Sequence, residues 1–224
     1  MEVFNKNYLL IMSENALYIA FEGIDGSGKS TQINGVSELL KTSNYTVLAV
    51  PFKPFASQCL RDFSISITGD KGSMRSIFDL SYVEYVHACD QVLNYTNLIK
   101  PNLAEYDLII QDRSKLSRVV NAKYARTPIK NIENILSTIP DPDVIIYLKI
   151  DPKVSLRRLT NRGKTTADEN LEFLTFASSE YETLLSSKNC LIIDANKSQI
   201  EISKEIFDYI VKHISQRHKN NNFI

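Results

Sequence analysis

Residues 23–30 read Gly-Ile-Asp-Gly-Ser-Gly-Lys-Ser, and they separate two segments of different pattern. Residues 17–22 before them are nearly continuously apolar, and residues 29–42 after them keep helical spacing. A Gly-x-x-x-x-Gly-Lys-Ser run that closes a strand and opens a helix leaves few folds available. Its glycines let backbone N–H groups turn inward around an anion. The helix that follows points its positive end at the same place. On this reading Gly23, Gly26, Ser27, Gly28 and Thr31 cradle the phosphates of a nucleoside triphosphate. Lys29 reaches the β- and γ-phosphates, and Ser30 offers its hydroxyl to Mg²⁺. Asp25 is the awkward member, because a carboxylate repels a triphosphate. It must face away from the phosphates, or act through a cation or a substrate hydroxyl.

Four further runs, 46–50, 108–111, 144–150 and 190–193, are apolar without alternation, as in strands covered by helices on both faces. Helical patterns lie between them, over 76–98, 128–137, 152–161 and 168–186. Asp151 is placed to cap one of these, and Pro128 suits a first helical turn. Near the end Ile202, Ile206, Tyr209, Ile210 and Ile214 keep helical spacing. Strand and helix alternate, so the predicted architecture is α/β: a three-layer domain of the P-loop type with a five-stranded parallel sheet.

The chain has 224 residues, which suits one such domain over 17–215. The polar stretch 216–224 is expected to fray. Residues 1–16 read as an extension, disordered or absent, too short and poorly flanked for a signal peptide, with Met12 as an alternative start. There are 26 basic and 26 acidic residues, so bulk nucleic acid is not an expected partner. No apolar run is long enough to span a membrane. Cys59, Cys89 and Cys190 form no Cys-x-x-Cys pair, which argues against a zinc site or a disulfide framework and for a reducing, cytoplasmic setting.

Two more groups carry chemistry. Asp112 and Arg113 follow the strand 108–111, and the carboxyl ends of parallel strands are where α/β proteins bind ligands. Asp112 can hold Mg²⁺ through water, and Arg113 can grip a phosphate with its fork of donors. Arg157, Arg158, Arg162 and Lys164 gather around Gly163 in the manner of a closing lid. Arginines there can stabilise the charge that develops on a transferring phosphoryl group.

Taken together, these segments resemble the thymidylate kinase family from about Leu17 to Ile214. The run Phe21-Glu22-Gly23-Ile24-Asp25-Gly26-Ser27-Gly28-Lys29-Ser30-Thr31-Gln32 matches the family opening F-E-G-x-D-G-x-G-K-[ST]-T-Q. Residues 99–104, Asp112-Arg113 and Ser117, the arginine-rich 158–163 and the final 192–195 are similar to later family segments. The resemblance implies ATP and Mg²⁺ as cofactors, a nucleoside 5′-monophosphate acceptor with dTMP the default, and a homodimer formed by helix packing. It also implies that Asp25 lies near the acceptor sugar and the metal, and that Arg158 and Arg162 act from the lid.

The departures sit in the acceptor site. The family's base-stacking aromatic and base-reading arginine fall on His87 and Gln91. The tyrosine of D-R-Y is Ser114, A-Y-Q is 120–122, and the arginine after the second strand is Lys53, which with Arg113 is expected to hold the acceptor phosphate. These changes predict that dTMP is a poor substrate, or that Tyr82, Tyr85 or Tyr124 supplies the missing stacking. A kinase for a modified nucleotide or another small phosphorylated acceptor is the alternative. A non-catalytic nucleotide-binding module is opposed by the intact Lys29, Ser30, Asp112 and lid arginines. A GTPase-type switch lacks the Asn-Lys-x-Asp guanine-reading motif.

Overall fold

The computed structural model describes residues 16–69, 74–163, 170–188 and 190–221. Lys164 of the expected lid and residues 1–15 of the expected extension lie outside the described residues.

Five strands, β1 (Leu17–Glu22), β2 (Val47–Val50), β3 (Leu108–Asp112), β4 (Val144–Lys149) and β5 (Cys190–Asp194), form one parallel sheet in the order β2-β3-β1-β4-β5. The strand readings hold to within a residue at each end. Helix α1 (Lys29–Thr42) follows the glycine loop, and α9 (Gln199–Asn221) packs on it. Leu17, Ile19, Phe21, Leu108, Ile110 and Ile146 share a core cluster with Val36 and Leu40 of α1 and Ile206 and Ile210 of α9. Each such side chain contributes roughly 1.5–3 kcal/mol by leaving water. A second cluster joins Tyr18, Val50 and Ile109 to Ala88 of α4 (Leu80–Asn94), Ala122 of α5 (Lys115–Tyr124) and Ile132 of α6 (Ile129–Leu136). Helices α2 (Ala56–Thr68), α3 (Met74–Ile77), α7 (Pro152–Asn161) and α8 (Leu171–Leu185) complete the layers.

The register brings the carboxyl ends of β1 and β3 level, with Phe21 beside Asp112. Gln111 in turn stands beside Val50, the last residue of β2. The chain leaves β1 for β2 and β3 on one side and reaches β4 on the other, so the crevice opens where the strand order reverses.

The helical readings need four corrections. The long stretch 76–98 is interrupted at Phe78-Asp79, where the Asp79 carboxylate accepts the Ser81 N–H at 2.8 Å and starts α4 afresh. It then widens into a π-helical turn over Tyr95–Ile99. Pro128 precedes α6 as its cap residue rather than lying in its first turn. Helix α9 runs to Asn221, past the point where composition predicts fraying; Arg217 stands 3.8 Å from Asp143 and ties that end to the turn before β4. Helices α2 and α5 were not anticipated.

Candidate active site

The glycine loop takes its shape from close approaches. Gly23 has φ 144°, and a Cβ there would meet the Leu148 carbonyl at 2.8 Å. Gly26 has φ 79°, and a Cβ would meet the Ser155 carbonyl at 2.8 Å. Both positions therefore require glycine, for conformation and for space. The Ser155 hydroxyl of α7 donates to the Asp25 carbonyl and pins the loop from above. Ser27 contributes backbone rather than side chain: its N–H closes a turn on Ile24 O at 3.2 Å, and its hydroxyl is buried.

Lys29 is buried, with Nζ donating to the carbonyls of Gly23 at 3.0 Å and Ile24 at 3.1 Å. Burial and the nearby Arg113 push its pKa down to about 8, against the opposing pull of Asp25, Asp112 and Glu22. The ammonium is thus held among weak acceptors, close to the point where it would lose its proton.

Asp25 faces Arg113 and accepts from its Nη2. Burial works against the Asp25 charge, but Arg113 and Lys29 outweigh it and hold the carboxyl below its ordinary range. This resolves the awkward carboxylate: it pairs with a cation across the β1–β3 crevice. Arg113 has φ 66°, an uncommon conformation for a side-chain-bearing residue. Its Nη1 reaches Gly23 O at 3.2 Å, Ser117 Oγ at 3.4 Å and Tyr181 OH at 3.4 Å.

Behind Arg113 lies a network that the sequence reading missed. Glu22, fully buried, accepts from Ser114 N–H at 2.7 Å, Ser114 Oγ at 2.7 Å, Ser117 Oγ at 2.6 Å and Tyr181 OH at 3.1 Å. Four donors satisfy a carboxylate that would otherwise be costly to bury. Ser117, read as a substrate contact, is engaged here with Glu22 and Tyr181. The sequence does carry one cue, a glutamate closing an otherwise apolar strand.

Ser30 Oγ donates to Asp112 Oδ2 at 3.2 Å, and Asp112 Oδ1 is buried without a partner. A hydroxyl beside a carboxylate with an unfilled oxygen suits a hard cation that takes its other ligands from water and phosphate. Among the described residues no group of three or more His, Cys, Asp or Glu is placed to hold a metal ion. The Ser30–Asp112 pair offers a hard cation two oxygen ligands, with the remaining positions left to water and phosphate.

Asp25, Lys29, Ser30, Asp112, Arg113 and Arg162 line one cleft of about 410 Å³, with Gly26, Gly28 and Thr31 of the loop. Arg158 stands apart from them. Its guanidinium is engaged by the carbonyls of Gly26 at 3.5 Å and Ala195 at 3.0 Å, bracing the loop against the turn after β5.

The acceptor-side residues lie on α4 and its neighbours. Lys53 has an exposed side chain on a fixed backbone: Asn94 accepts its N–H at 2.9 Å and donates to its C=O at 2.7 Å. One turn earlier Asp90 accepts from the N–H groups of Phe55, Ala56 and Ser57, so α4 caps the start of α2. His87 Nδ1 lies 3.8 Å from Glu84 Oε2, and Gln91 is fully buried. The tyrosines offered as stacking substitutes are placed elsewhere. Tyr82 is exposed, Tyr85 OH accepts from Asn131 at 3.1 Å, and Tyr124 packs against Phe173 and Phe176.

Residues 21–206 match the family model described as thymidylate kinase. The chain is 31% identical over 212 residues to the thymidylate kinase of Prochlorococcus marinus strain NATL1A, covering 89% of this chain and 98% of that one. It is 29% identical over 191 residues to a probable thymidylate kinase of Pyrobaculum calidifontis, covering 85% and 93%. With the thymidylate kinase of Thermosipho africanus it shares 28% over 208 residues, covering 88% and 99%.

Proposed function

The chain belongs to the thymidylate kinase family and is an ATP-using nucleoside monophosphate kinase; from that premise we propose that its acceptor is dTMP, converted to dTDP. The observation that carries this reading is the convergence of Lys29, Ser30, Asp112, Arg113 and Arg162 on one cleft at the strand ends. The relatives support the choice of dTMP, since they match over nearly their whole length and are named for it. The comparisons give the altered-acceptor, non-catalytic and switch readings no support.

In this account the loop amides and Lys29 hold the donor phosphates. Lys29 exchanges the carbonyls of Gly23 and Ile24 for phosphate oxygens, which are stronger partners. Ser30 and Asp112 would hold Mg²⁺, which supplies charge neutralisation on the phosphates when bound. Arg113 and Lys53 hold the acceptor phosphate, with Asp25 and the Glu22 network fixing the Arg113 fork. Arg162, exposed at the end of α7, adds positive charge from the lid side, while Arg158 keeps the loop in place. No strong general base is needed, because an acceptor phosphate oxygen is already ionised. Catalysis is then mostly alignment and charge stabilisation.

ATP-dependent ADP release should be measured across dTMP, dUMP, dCMP, dGMP and dAMP. The account predicts the highest kcat/KM for dTMP. A different preferred base, or ADP release that ignores the acceptor, contradicts it.

We place the enzyme in the cytoplasm, in keeping with its exposed free Cys59 and Cys89. No helix among the described residues is long and apolar enough to cross a membrane. We also infer a homodimer through α2, where Phe63 and Ile67, one turn apart, are 52% and 59% exposed. Sedimentation should give the mass of two chains, and Ile67→Asp should give that of one. A wild-type protein that sediments as a single chain rules this dimer out.

A further inference from the structure

Helix α7 stands on the glycine loop at two points. Ser155, fully buried, donates its hydroxyl to the Asp25 carbonyl. Arg158, one turn on, reaches the Gly26 carbonyl at 3.5 Å and the Ala195 carbonyl at 3.0 Å. The helix is itself fixed at its start, where the Asp151 carboxylate accepts from the N–H groups of Lys153 at 2.8 Å and Val154 at 3.2 Å. A serine inside a helix commonly bonds back to the carbonyl four residues earlier. Here the Asp151 carbonyl takes the Ser155 N–H at 2.9 Å, and the hydroxyl leaves the helix for the loop. The approach is close: a Cβ on Gly26 would meet the Ser155 hydroxyl as well as its carbonyl at 2.8 Å.

The carbonyls of the loop therefore divide. Those of Gly23 and Ile24 face Lys29, and those of Asp25 and Gly26 face α7. A trans peptide group is planar, so its N–H points opposite to its C=O. Where Arg158 holds the Gly26 carbonyl, the N–H of the same peptide group, that of Ser27, turns the other way. It closes on the Ile24 carbonyl at 3.2 Å, the acceptor that Lys29 also uses. The side away from α7 is thus the side of Lys29. Where Ser155 holds the Asp25 carbonyl, the Gly26 N–H is turned to that side as well. Gly26 is buried, and no described residue accepts from its N–H. An open donor in the cleft that Lys29 lines suits an anionic oxygen.

We propose that Ser155 is a positioning residue for the donor phosphates: its hydroxyl sets the plane of the Asp25–Gly26 peptide group, so that the Gly26 N–H and not the Asp25 carbonyl faces them. This rests on the kinase reading and deepens it. Ser155 touches no substrate and acts through the loop backbone. Without its hydroxyl the peptide group loses the partner that holds the carbonyl outward. Turned over, the Asp25 carbonyl presents the negative end of its dipole to a polyphosphate, and the cradle exchanges an attraction for a repulsion. The acceptor side is not disturbed, because the Asp25 carboxylate keeps its own partner in Arg113.

Calorimetric binding of ATP, inorganic tripolyphosphate and dTMP to the whole chain tests this. Ser155→Ala should weaken ATP and tripolyphosphate alike, on the order of tenfold, and leave dTMP affinity unchanged. In steady-state kinetics the KM for ATP should rise in step, while kcat at saturating ATP falls much less. Ser155→Cys fills the same place with a weak donor and should resemble Ser155→Ala; it serves as the probe if the Ala variant does not fold. Ser155→Thr keeps the hydroxyl and should restore binding. Wild-type affinity for ATP and tripolyphosphate in Ser155→Ala overturns the proposal. So does a loss of ATP binding with tripolyphosphate unaffected, which would assign Ser155 to the nucleoside. An equal weakening of dTMP also overturns it, since Ser155 would then be a packing residue only. Phosphoryl transfer is read separately. A wild type that transfers phosphate to dTMP, beside a Ser155→Ala protein that binds ATP as well, refutes the Ser155 assignment alone. Ser155-dependent binding of ATP without transfer to dTMP refutes the kinase reading alone.

Discussion

Lys29→Ala is expected to lower kcat by on the order of 10³-fold while leaving the thermal melt close to that of the wild type. The side chain is buried and hydrogen-bonded to two loop carbonyls, and Asp25, whose charge it also favours, keeps Arg113 as its partner when Lys29 is removed. What is lost is a preorganised cation aimed at charge that develops during transfer. The same residue gives a pH signature. Its pKa is held to about 8 against an ordinary 10.5. Bound triphosphate favours the charged form, so ATP binding takes up a proton above pH 8. Affinity for ATP should then fall as pH rises through 8, by at most about tenfold per unit. Lys29→Arg, which does not titrate in this range, should flatten the profile. For folding the sign is the reverse. Between about 8 and 10.5 the unfolded chain binds the more protons at this site, so the Lys29 share of stability rises with pH. Near-normal turnover in Lys29→Ala would remove the glycine loop from the catalytic account.

Arg113→Ala should lower kcat/KM for the monophosphate by on the order of 10³-fold, with ATP affinity far less affected. Arg113 joins the glycine loop, through Gly23 and Asp25, to the Ser117–Tyr181–Glu22 network. Arg113→Lys keeps the charge but loses the fork, and should recover only part of the loss. Steady-state kinetics varying each substrate in turn separates the two sites. A defect confined to the KM for ATP would reassign Arg113 to the donor side.

The donor half of the site was legible in the sequence because it is local. A glycine loop, its lysine and its hydroxyl stand within eight residues, and their conformational demands can be read residue by residue. The strands were legible for a similar reason, since burial on both faces leaves an unbroken apolar run. The acceptor half was less legible because its geometry is assembled from afar. Asp90 starts α2 by capping it from another helix, and nothing in residues 55–57 announces that. Helix α2 is rich in serine and β-branched residues, and by propensity alone it is weak. Tyr181 joins Arg113 and Glu22 from α8, across 68 and 159 residues of chain. The break at Asp79 was legible in principle, since an aspartate before a helical run is a cap signal, but the apolar spacing on both sides hid it.

The account stands most directly on where the γ-phosphate goes. The protein should be incubated with ATP labelled at the γ-phosphate, Mg²⁺ and dTMP, and the products separated. The account predicts label in dTDP, in proportion to ADP formed, with little released as inorganic phosphate and transfer on the order of 10³-fold slower in Lys29→Ala. Label appearing in inorganic phosphate at a rate unaffected by dTMP would contradict it.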